Sequence, residues 1–326
     1  MSRSLITILV CGVFVNFTMA ATLLDSNYQI STVASYSGNT GRLASVTFDK
    51  NGNFYLAHND SGLIYKVTTG GSTGVWASGF DHPGFMQWGT GTAYGDYLYV
   101  ANTGTDEVLK VDHNGNKQYF THVGYTPGGL AIDTAGNYGG MMYVGTDVLD
   151  KVYKVSTTGV VSVFSNYPYN QSGNTCNMAF DPGTEYGGKM YIATISTVDP
   201  QYAGIFSLSA TGAPTRFSND LGLAWKIDFG PSDFDNNLFA SAMVTPAQDR
   251  WCIYRLDSQG HATEFFRGGN TTFSFYGDDM YIADFTSFTN TTTVYKVSLI
   301  PEPVTILVLG LGAGAVLRSR KALRLR

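Results

Sequence analysis

The chain has 326 residues, including 38 glycines, and its aromatic and charged residues each make up 14%. Arg3, Glu302 and the five basic residues after Leu317 lie in the end segments, so the remaining 14 Lys/Arg and 24 Asp/Glu give a formal charge near −10. An acidic domain argues against nucleic acid and anionic membrane surfaces as partners. The roughly 280 residues between the end segments are enough for one domain.

The N-terminus is typical of a secretory signal peptide. One arginine, Arg3, precedes an apolar stretch over residues 5–15, and Thr18-Met19-Ala20 follows it. This order of basic, apolar and small residues predicts a signal peptide over residues 1–20 that is cut after Ala20. We therefore expect an exported protein whose folded domain spans residues 21–300.

A four-stranded unit recurs along the domain, and its clearest copy is Thr126–Tyr167. Short β-branched and aromatic runs alternate there with polar residues between Gly- and Asn-rich turns, which is a strand pattern. The second strands are centred on Tyr55, Tyr99, Tyr143, Tyr191, Phe239 and Tyr281, with spacings of 44, 44, 48, 48 and 42 residues. The third strands recur at Ile64, Val108, Val152, Ile205, Ile253 and Val294. Six such copies predict an all-β, six-bladed β-propeller; a solenoid would need polar capping repeats, which the sequence does not contain.

The two ends of the repeat series complement each other. The sixth copy stops at Ile300 after three strands, whereas residues 28–37 read as a fourth strand with no blade before it. Pairing of residues 28–37 with the strand at Val294 would complete the sixth blade. Because closure removes two free sheet edges, we predict a ring closed by the N-terminal strand.

An aromatic residue also precedes the second strand at the blade period. It occurs in Tyr94-Gly95, Tyr138-Gly139, Tyr186-Gly187 and Phe234-Asp235. An aromatic residue repeated in register favours packing between blades over a ligand platform.

The loops between second and third strands are longer in the last three blades. From the second-strand aromatic residue to the third strand there are nine residues in blades one to three, but 14, 14 and 13 in blades four to six. In the usual propeller path these loops, 194–204, 241–251 and 284–293, share the face where the innermost strands begin. Long loops on a rigid scaffold often bind ligands, although neutral drift is the alternative. The predicted ligand-binding residues are Asp199, Tyr202, Asp249, Trp251, Asp284 and Phe285, whose rings and carboxylates suit sugars or amine-bearing peptides.

Acidic residues occur in this set of loops in every blade. They are Asp60, Asp106, Asp147 or Asp150, Asp199, Asp249 and Asp284. They make Ca²⁺ a candidate cofactor, since Ca²⁺ takes six to eight oxygen ligands, but Asp also forms turns by bonding nearby backbone. His58, His82 and His122 do not follow the blade period, which disfavours a zinc site. No catalytic motif is present, and we predict no catalytic residue.

The C-terminus has three parts. Pro301-Glu302-Pro303 is followed by the apolar run VTILVLGLGAGAVL and the basic end RSRKALRLR. Residues 301–326 resemble the PEP-CTERM sorting signal of bacterial exosortase substrates. This resemblance implies a short apolar membrane helix, an inner-membrane-anchored intermediate, an exosortase-type membrane protease as partner, and release to the cell surface or the exterior. An ordinary tail anchor is the alternative.

The repeat unit and the blade count resemble NHL-repeat and SMP-30/gluconolactonase-like propellers over about residues 28–300. For the calcium-dependent lactonases of that group, the resemblance implies a Glu near the start of the propeller, with Asn and Asp around the channel. The start of this propeller, LLDSNYQISTVASYSG, has no Glu, while Asn59, Asn102, Asn174 and Asn177 lie in plausible loops. We therefore favour a non-enzymatic surface or matrix protein that binds an exopolysaccharide or a surface protein. The alternative is a secreted calcium-dependent hydrolase or lactonase, and a cluster of carboxylates and amides at the channel mouth would distinguish the two.

Overall fold

The computed structural model describes residues 21–37, 42–146, 151–166, 174–196, 200–243, 251–287 and 289–301, without the side chains of residues 174–176 and 200. Two strands precede the first blade, β1 Thr22–Leu23 and β2 Tyr28–Ser37. The described residues also contain three short 3-10 turns, Thr103–Thr105, Pro200–Tyr202 and Ser232–Phe234.

The remaining strands form six blades in chain order. Blade 1 contains β3 Leu43–Phe48, β4 Phe54–His58, β5 Leu63–Val67 and β6 Thr73–Ser78. Blade 2 contains β7 Pro83–Trp88, β8 Leu98–Asn102, β9 Glu107–Val111 and β10 Lys117–His122. Blade 3 contains β11 Pro127–Ile132, β12 Met142–Thr146, β13 Lys151–Val155 and β14 Val161–Asn166. Blade 4 contains β15 Asn174–Phe180, β16 Met190–Ile195, β17 Gly204–Leu208 and β18 Pro214–Ser218. Blade 5 contains β19 Leu223–Phe229, β20 Leu238–Met243, β21 Cys252–Leu256 and β22 Ala262–Arg267, and blade 6 contains β23 Asn270–Tyr276, β24 Asp279–Thr286 and β25 Thr291–Leu299.

Each blade is an antiparallel sheet whose strands follow one another in sequence order. The first strand of every blade is innermost, and it contacts the first strand of the next blade all the way round, including β23 against β3. The apolar core lies between neighbouring sheets: each of six buried clusters draws its residues mainly from two adjacent blades. The predicted six-bladed, all-β propeller is therefore confirmed.

The N-terminal strand closes the ring as predicted. β2 pairs antiparallel with β25 from Tyr28 opposite Leu299 to Ser37 opposite Thr291, so it completes blade 6. β1, which was not predicted, adds a fifth strand to blade 5 by pairing with β22. A strand of two residues has no periodicity of its own, and only its contact with blade 5 defines it. The N-terminal segment thus ties blade 5 to blade 6.

The repeated tyrosines join adjacent blades by hydrogen bonds, which confirms that they pack between blades. In blade 3, the Tyr138 hydroxyl donates to the Leu208 carbonyl O at 2.6 Å and accepts from the Met190 N–H at 2.7 Å, both in blade 4. Tyr94 and Tyr186 make the equivalent pair of bonds to the blades that follow them. Each hydroxyl joins a residue of the second strand to its partner on the third strand of the next blade.

The predicted end segments fall largely outside the described residues. The predicted signal peptide, residues 1–20, lies there, and so do Glu302, Pro303 and the apolar and basic parts of the tail. Pro301 is the last described residue and follows β25 without regular structure. In the part of the chain that the structure describes, no helical segment has the length and hydrophobicity needed to span a bilayer.

Candidate functional site: the channel mouth

The central channel contains two cavities that share no described lining residue. The first residues of the innermost strands line the upper cavity, and later residues of the same strands line a smaller lower chamber. Trp225 of blade 5 lines the upper cavity, and the next residue, Lys226, lines the lower chamber. The Trp225 indole reaches across the channel: Nε1–H donates to the Ala44 carbonyl O of blade 1 at 2.9 Å. Its ring centroid also lies 5.4 Å from that of Phe85 in the opposite blade.

The upper cavity has a volume of about 490 Å³. This is within the range of about 300–1,000 Å³ that is usual for small-molecule sites. All six blades contribute to its wall. The described lining residues are Arg42, Leu43, Ala44, Asn59, His82, Gly84, Phe85, Thr103, Gly104, Thr126, Gly128, Ile195, Trp225, Trp251 and Asn270.

β-Bulges shape this end of the channel. The pairing of first and second strands shifts at Ala44 in blade 1, Phe85 in blade 2, Gly128 in blade 3, between residues 175 and 177 in blade 4, and at Trp225 in blade 5. A bulge leaves one residue without a ladder partner and turns its side chain in a new direction. The bulged residues of blades 1, 2, 3 and 5 all line the upper cavity.

The small bulged residues make room for the large ones. A Cβ added to Gly84 would lie 2.9 Å from the Gly128 carbonyl O, so glycine allows these two bulges to approach each other. Ala44 likewise leaves its carbonyl accessible to the Trp225 indole. The large aromatic side chains of blades 2 and 5 can therefore meet over the channel.

Three aromatic rings form an apolar wall in the upper cavity. Trp225 lies between Phe85, at 5.4 Å, and Trp251, at 6.3 Å between ring centroids. Phe85 is buried, whereas both tryptophans are half-buried and expose part of their rings to the cavity. Exposed indole faces can stack on sugar C–H groups or on planar ligands.

Polar groups lie around the rings. Asn59 donates from Nδ2 to the Pro83 carbonyl O at 3.3 Å. Arg42 forms a 3.5 Å ion pair with Asp60, but its side chain is 72% exposed, so the pair contributes little to stability. A ligand in this cavity would therefore meet amide and guanidinium donors beside the aromatic wall.

His82 has a carboxylate partner. Its Nδ1 lies 2.7 Å from Asp81 Oδ1, and its backbone adopts a left-handed φ of 53° that is uncommon for residues other than glycine. The buried Asn102 side chain holds this turn by accepting from the Asp81 N–H at 2.8 Å. When Nδ1 donates to Asp81, Nε2 is left as an acceptor. This pair could therefore act as a general base toward a bound molecule.

The structure places the predicted site residues in different surroundings. Trp251 lines the upper cavity. Tyr202 is half-buried at the end of a 3-10 turn, and its carbonyl O accepts from Thr194 Oγ1 at 2.9 Å. The sequence analysis predicted that Asp284 and Phe285 lie in an exposed loop. This was wrong, because both residues are buried within β24. Asp199 and Asp249 lie outside the described residues.

Asp284 is bonded to backbone amides rather than exposed to solvent. Its Oδ1 accepts from the Gly269 N–H at 2.8 Å. Burial raises the pKa of the carboxyl group, and the backbone hydrogen bonds from Gly269 and Asn270 partly oppose this rise. The side chain thereby orders the backbone from which Asn270 reaches the cavity.

Two other acidic loop residues also bond the backbone. Asp60 accepts from the Arg42 N–H at 3.0 Å, and Asp106 accepts from the Thr126 N–H at 2.6 Å. The two partners lie 18 and 20 residues away in the chain, so these carboxylates bond a neighbouring segment rather than form the local turns that were the alternative to calcium binding. Asp147 and Asp150 are outside the described residues.

The described part of the cavity does not match a calcium site. None of its described lining residues is a carboxylate, whereas Ca²⁺ prefers six to eight oxygen ligands that include carboxylates. Over the described ranges there is also no group of three or more His, Cys, Asp or Glu that could hold a metal ion. His58 is buried, with Nε2 at 2.9 Å from the Tyr36 hydroxyl, and His122 is exposed at the end of β10.

Sequence reasoning missed Phe85 and Trp225 because both lie in innermost strands, where an apolar residue is expected to pack between blades. It considered His82 only as a metal ligand and did not single out Asp81. An adjacent acidic residue and histidine before a strand was the available signal for that pair. Trp225 had no comparable signal in the sequence, because the direction of its side chain depends on a β-bulge.

Solved structures with the same fold have different activities. A virginiamycin B lyase from Staphylococcus aureus is 11% identical, with 84% of this chain and 100% of that chain covered and a TM-score of 0.56. A gluconolactonase from Xanthomonas campestris is 11% identical, with 84% and 90% covered and a TM-score of 0.62. An auxiliary nutrient binding protein from Bacteroides thetaiotaomicron is 13% identical, with 85% and 74% covered and a TM-score of 0.56.

No protein-family model matches the chain, and no curated protein matches it. Identities this low establish the shared fold alone, and a propeller fold does not specify an activity. The chain is a six-bladed β-propeller with structural neighbours of the SMP-30/gluconolactonase and virginiamycin B lyase type.

Proposed function

We propose that this protein is an exported β-propeller that binds a ligand in the upper cavity of its channel. The observation that supports this most strongly is the 490 Å³ cavity with Phe85, Trp225 and Trp251 along one wall. Amides and hydroxyls around these rings could bond ligand hydroxyls. A glycan fragment of a surface polymer fits this combination of stacking faces and hydrogen-bonding groups.

A binding role accounts for the cavity better than calcium-dependent hydrolysis. The feature that would favour a lactonase was a cluster of carboxylates and amides at the channel mouth. Asn59 and Asn270 supply amides, but no carboxylate is present among the described lining residues. Of the predicted ligand-binding residues, Trp251 belongs to this proposal because it lines the cavity.

Export and sorting belong to the same proposal. The signal peptide over residues 1–20 and the PEP-CTERM-like tail over residues 301–326 support a route through the inner membrane to the cell surface. An exosortase-type protease would be the processing partner. A surface or extracellular location would bring the cavity into contact with exopolysaccharide.

Trp251 allows a direct test of the binding role. Its ring contacts Trp225 at the cavity wall, so Trp251→Ala removes a stacking face at little cost to the core. For oligosaccharides prepared from the host's surface polymer, we expect affinity to fall about 5- to 30-fold, equivalent to roughly 1–2 kcal/mol. Calorimetric titration measures the change.

Trp76→Ala is the matched control. Trp76 is partly buried in β6, where Nε1 donates to the His113 carbonyl O at 3.1 Å, and it does not line the upper cavity. Its replacement should leave oligosaccharide affinity unchanged. Equal affinity of the wild-type and Trp251→Ala proteins would contradict binding in the upper cavity.

A second candidate function is a hydrolase or lyase, and the specific observation in its favour is the His82–Asp81 pair at the cavity. A lyase and a gluconolactonase among the structural neighbours agree with this alternative. Turnover of lactones by the purified protein that is abolished in His82→Gln would support this second function. Lactone turnover that His82→Gln leaves intact would rule out this pair as the base.

A further inference from the structure

The lower chamber is a second, separate compartment of the channel. It has a volume of about 200 Å³ and shares no described lining residue with the upper cavity. A water molecule takes up about 30 Å³ in the liquid, so the chamber has room for a small solute of several heavy atoms. Unlike the upper cavity, it exposes mostly polar surface, and half of its described lining residues are polar, among them Thr47, Gln87, Asn177, Lys226, Asp228 and Ser274.

Two carboxamides in the chamber have their orientation set by the backbone of the next blade. Gln87 Oε1 accepts from the Ile132 N–H at 2.7 Å, and Asn177 Oδ1 accepts from the Ile227 N–H at 3.0 Å. Because each amide oxygen is held by a backbone donor, the NH₂ group is the end left to face the chamber. Asn177 is only 3% exposed, and among the described residues no acceptor bonds either NH₂ group.

A buried ammonium group adds to these donors. Lys226 is 8% exposed, and its Nζ donates to the Ile227 carbonyl O at 3.0 Å and to Asp228 Oδ2 at 3.2 Å. An ammonium has three N–H groups, so one has no oxygen acceptor after these two bonds, and the Phe273 ring centroid lies 5.9 Å from Nζ. Asp228 accepts from Lys226 through Oδ2 and from the Phe229 N–H through Oδ1 at 3.1 Å. The carboxylate is thus already bonded at both oxygens.

The chamber therefore contains donor groups that have no hydrogen-bond acceptor among the described residues. Two NH₂ groups and one ammonium N–H face it, and its one charged acceptor is already bonded on both oxygens. A ligand that only accepts hydrogen bonds complements such a set, and charge-assisted bonds from an ammonium favour an anion. We propose that the lower chamber binds a small oxyanion: a carboxylate, or a phosphate or sulfate ion.

Two nearly isosteric substitutions test this proposal. Asn177→Asp and Gln87→Glu each keep the oxygen that accepts the backbone N–H and replace the NH₂ donor with a second carboxylate oxygen. Wild-type protein should bind acetate, phosphate or sulfate with one-to-one stoichiometry in calorimetric titrations against a chloride background. Each substitution should weaken that binding at least tenfold.

Two controls isolate the chamber. Asn114→Asp makes the same change of charge in an exposed turn and should leave oxyanion binding unchanged. Trp251→Ala alters only the upper cavity, so it should also leave oxyanion binding unchanged. The oxyanion proposal and the glycan proposal can therefore be refuted independently.

Three results would overturn the proposal. The first is absence of binding of all three anions to the wild-type protein. The second is unchanged anion affinity in both chamber variants; if Asn177→Asp does not fold, Gln87→Glu alone decides. The third is tighter binding of glycerol than of acetate, since a neutral polyol would then be the better ligand.

Discussion

Removing one inter-blade hydroxyl should weaken the whole ring. In Tyr138→Phe the ring remains between blades 3 and 4, but the Met190 N–H and the Leu208 carbonyl O lose their shared partner. Both residues are 0% exposed, so water cannot replace the hydroxyl. Each unsatisfied buried backbone group costs about 1–3 kcal/mol, so the two groups give an expected loss of about 2–6 kcal/mol in the free energy of unfolding.

Urea unfolding at equilibrium measures this loss, with the midpoint shifted and the denaturant slope unchanged. Tyr119→Phe is the control, because Tyr119 is 60% exposed and its replacement should change stability by less than about 0.5 kcal/mol. Phe234 occupies the matching position in blade 5 without a hydroxyl, which shows that the ring itself is compatible with the fold. Equal stability of Tyr138→Phe and Tyr119→Phe would refute the role given to the hydroxyl.

Three further predictions concern closure, pH and sorting. Deleting residues 22–38 removes β1 and β2 and exposes β25, so the protein should aggregate and melt at a lower temperature; a truncated protein that melts like the full chain would contradict this. Burial raises the pKa of Tyr28, Tyr99 and Tyr186 from 10.0 to about 12. The contribution of their neutral hydroxyls to the free energy of unfolding should therefore be complete below pH 10 and should be lost as the pH rises through about 12. Tyrosinate absorbance measures this, and ionisation of these groups near pH 10 in folded protein would contradict it. Deleting residues 301–326 should turn a membrane-held intermediate into freely released protein, and an unchanged distribution on cell fractionation would count against the sorting proposal.

The architecture could be predicted from the sequence because its signals are local and repeated. The aromatic centres of the second strands mark each blade, and counting the strands leaves one missing at Ile300 and one surplus at residues 28–37. The structure pairs those ends over the predicted residues. The packing of the repeated tyrosine between blades was also predicted correctly, because an aromatic ring at the same position of successive blades meets the same surroundings each time.

Tertiary structure decided which side chains meet in the channel. Asp284 and Phe285 have a loop-like sequence around them, yet β24 continues through them because β23 and β25 pair along its full length. Trp225 turns across the channel because its strand slips by one residue against β20. The amide nitrogens of Gln87 and Asn177 face the lower chamber because backbone donors of another blade hold their oxygens. Period-two alternation predicts that a strand forms, whereas the direction of each side chain depends on pairing with residues far away in the chain.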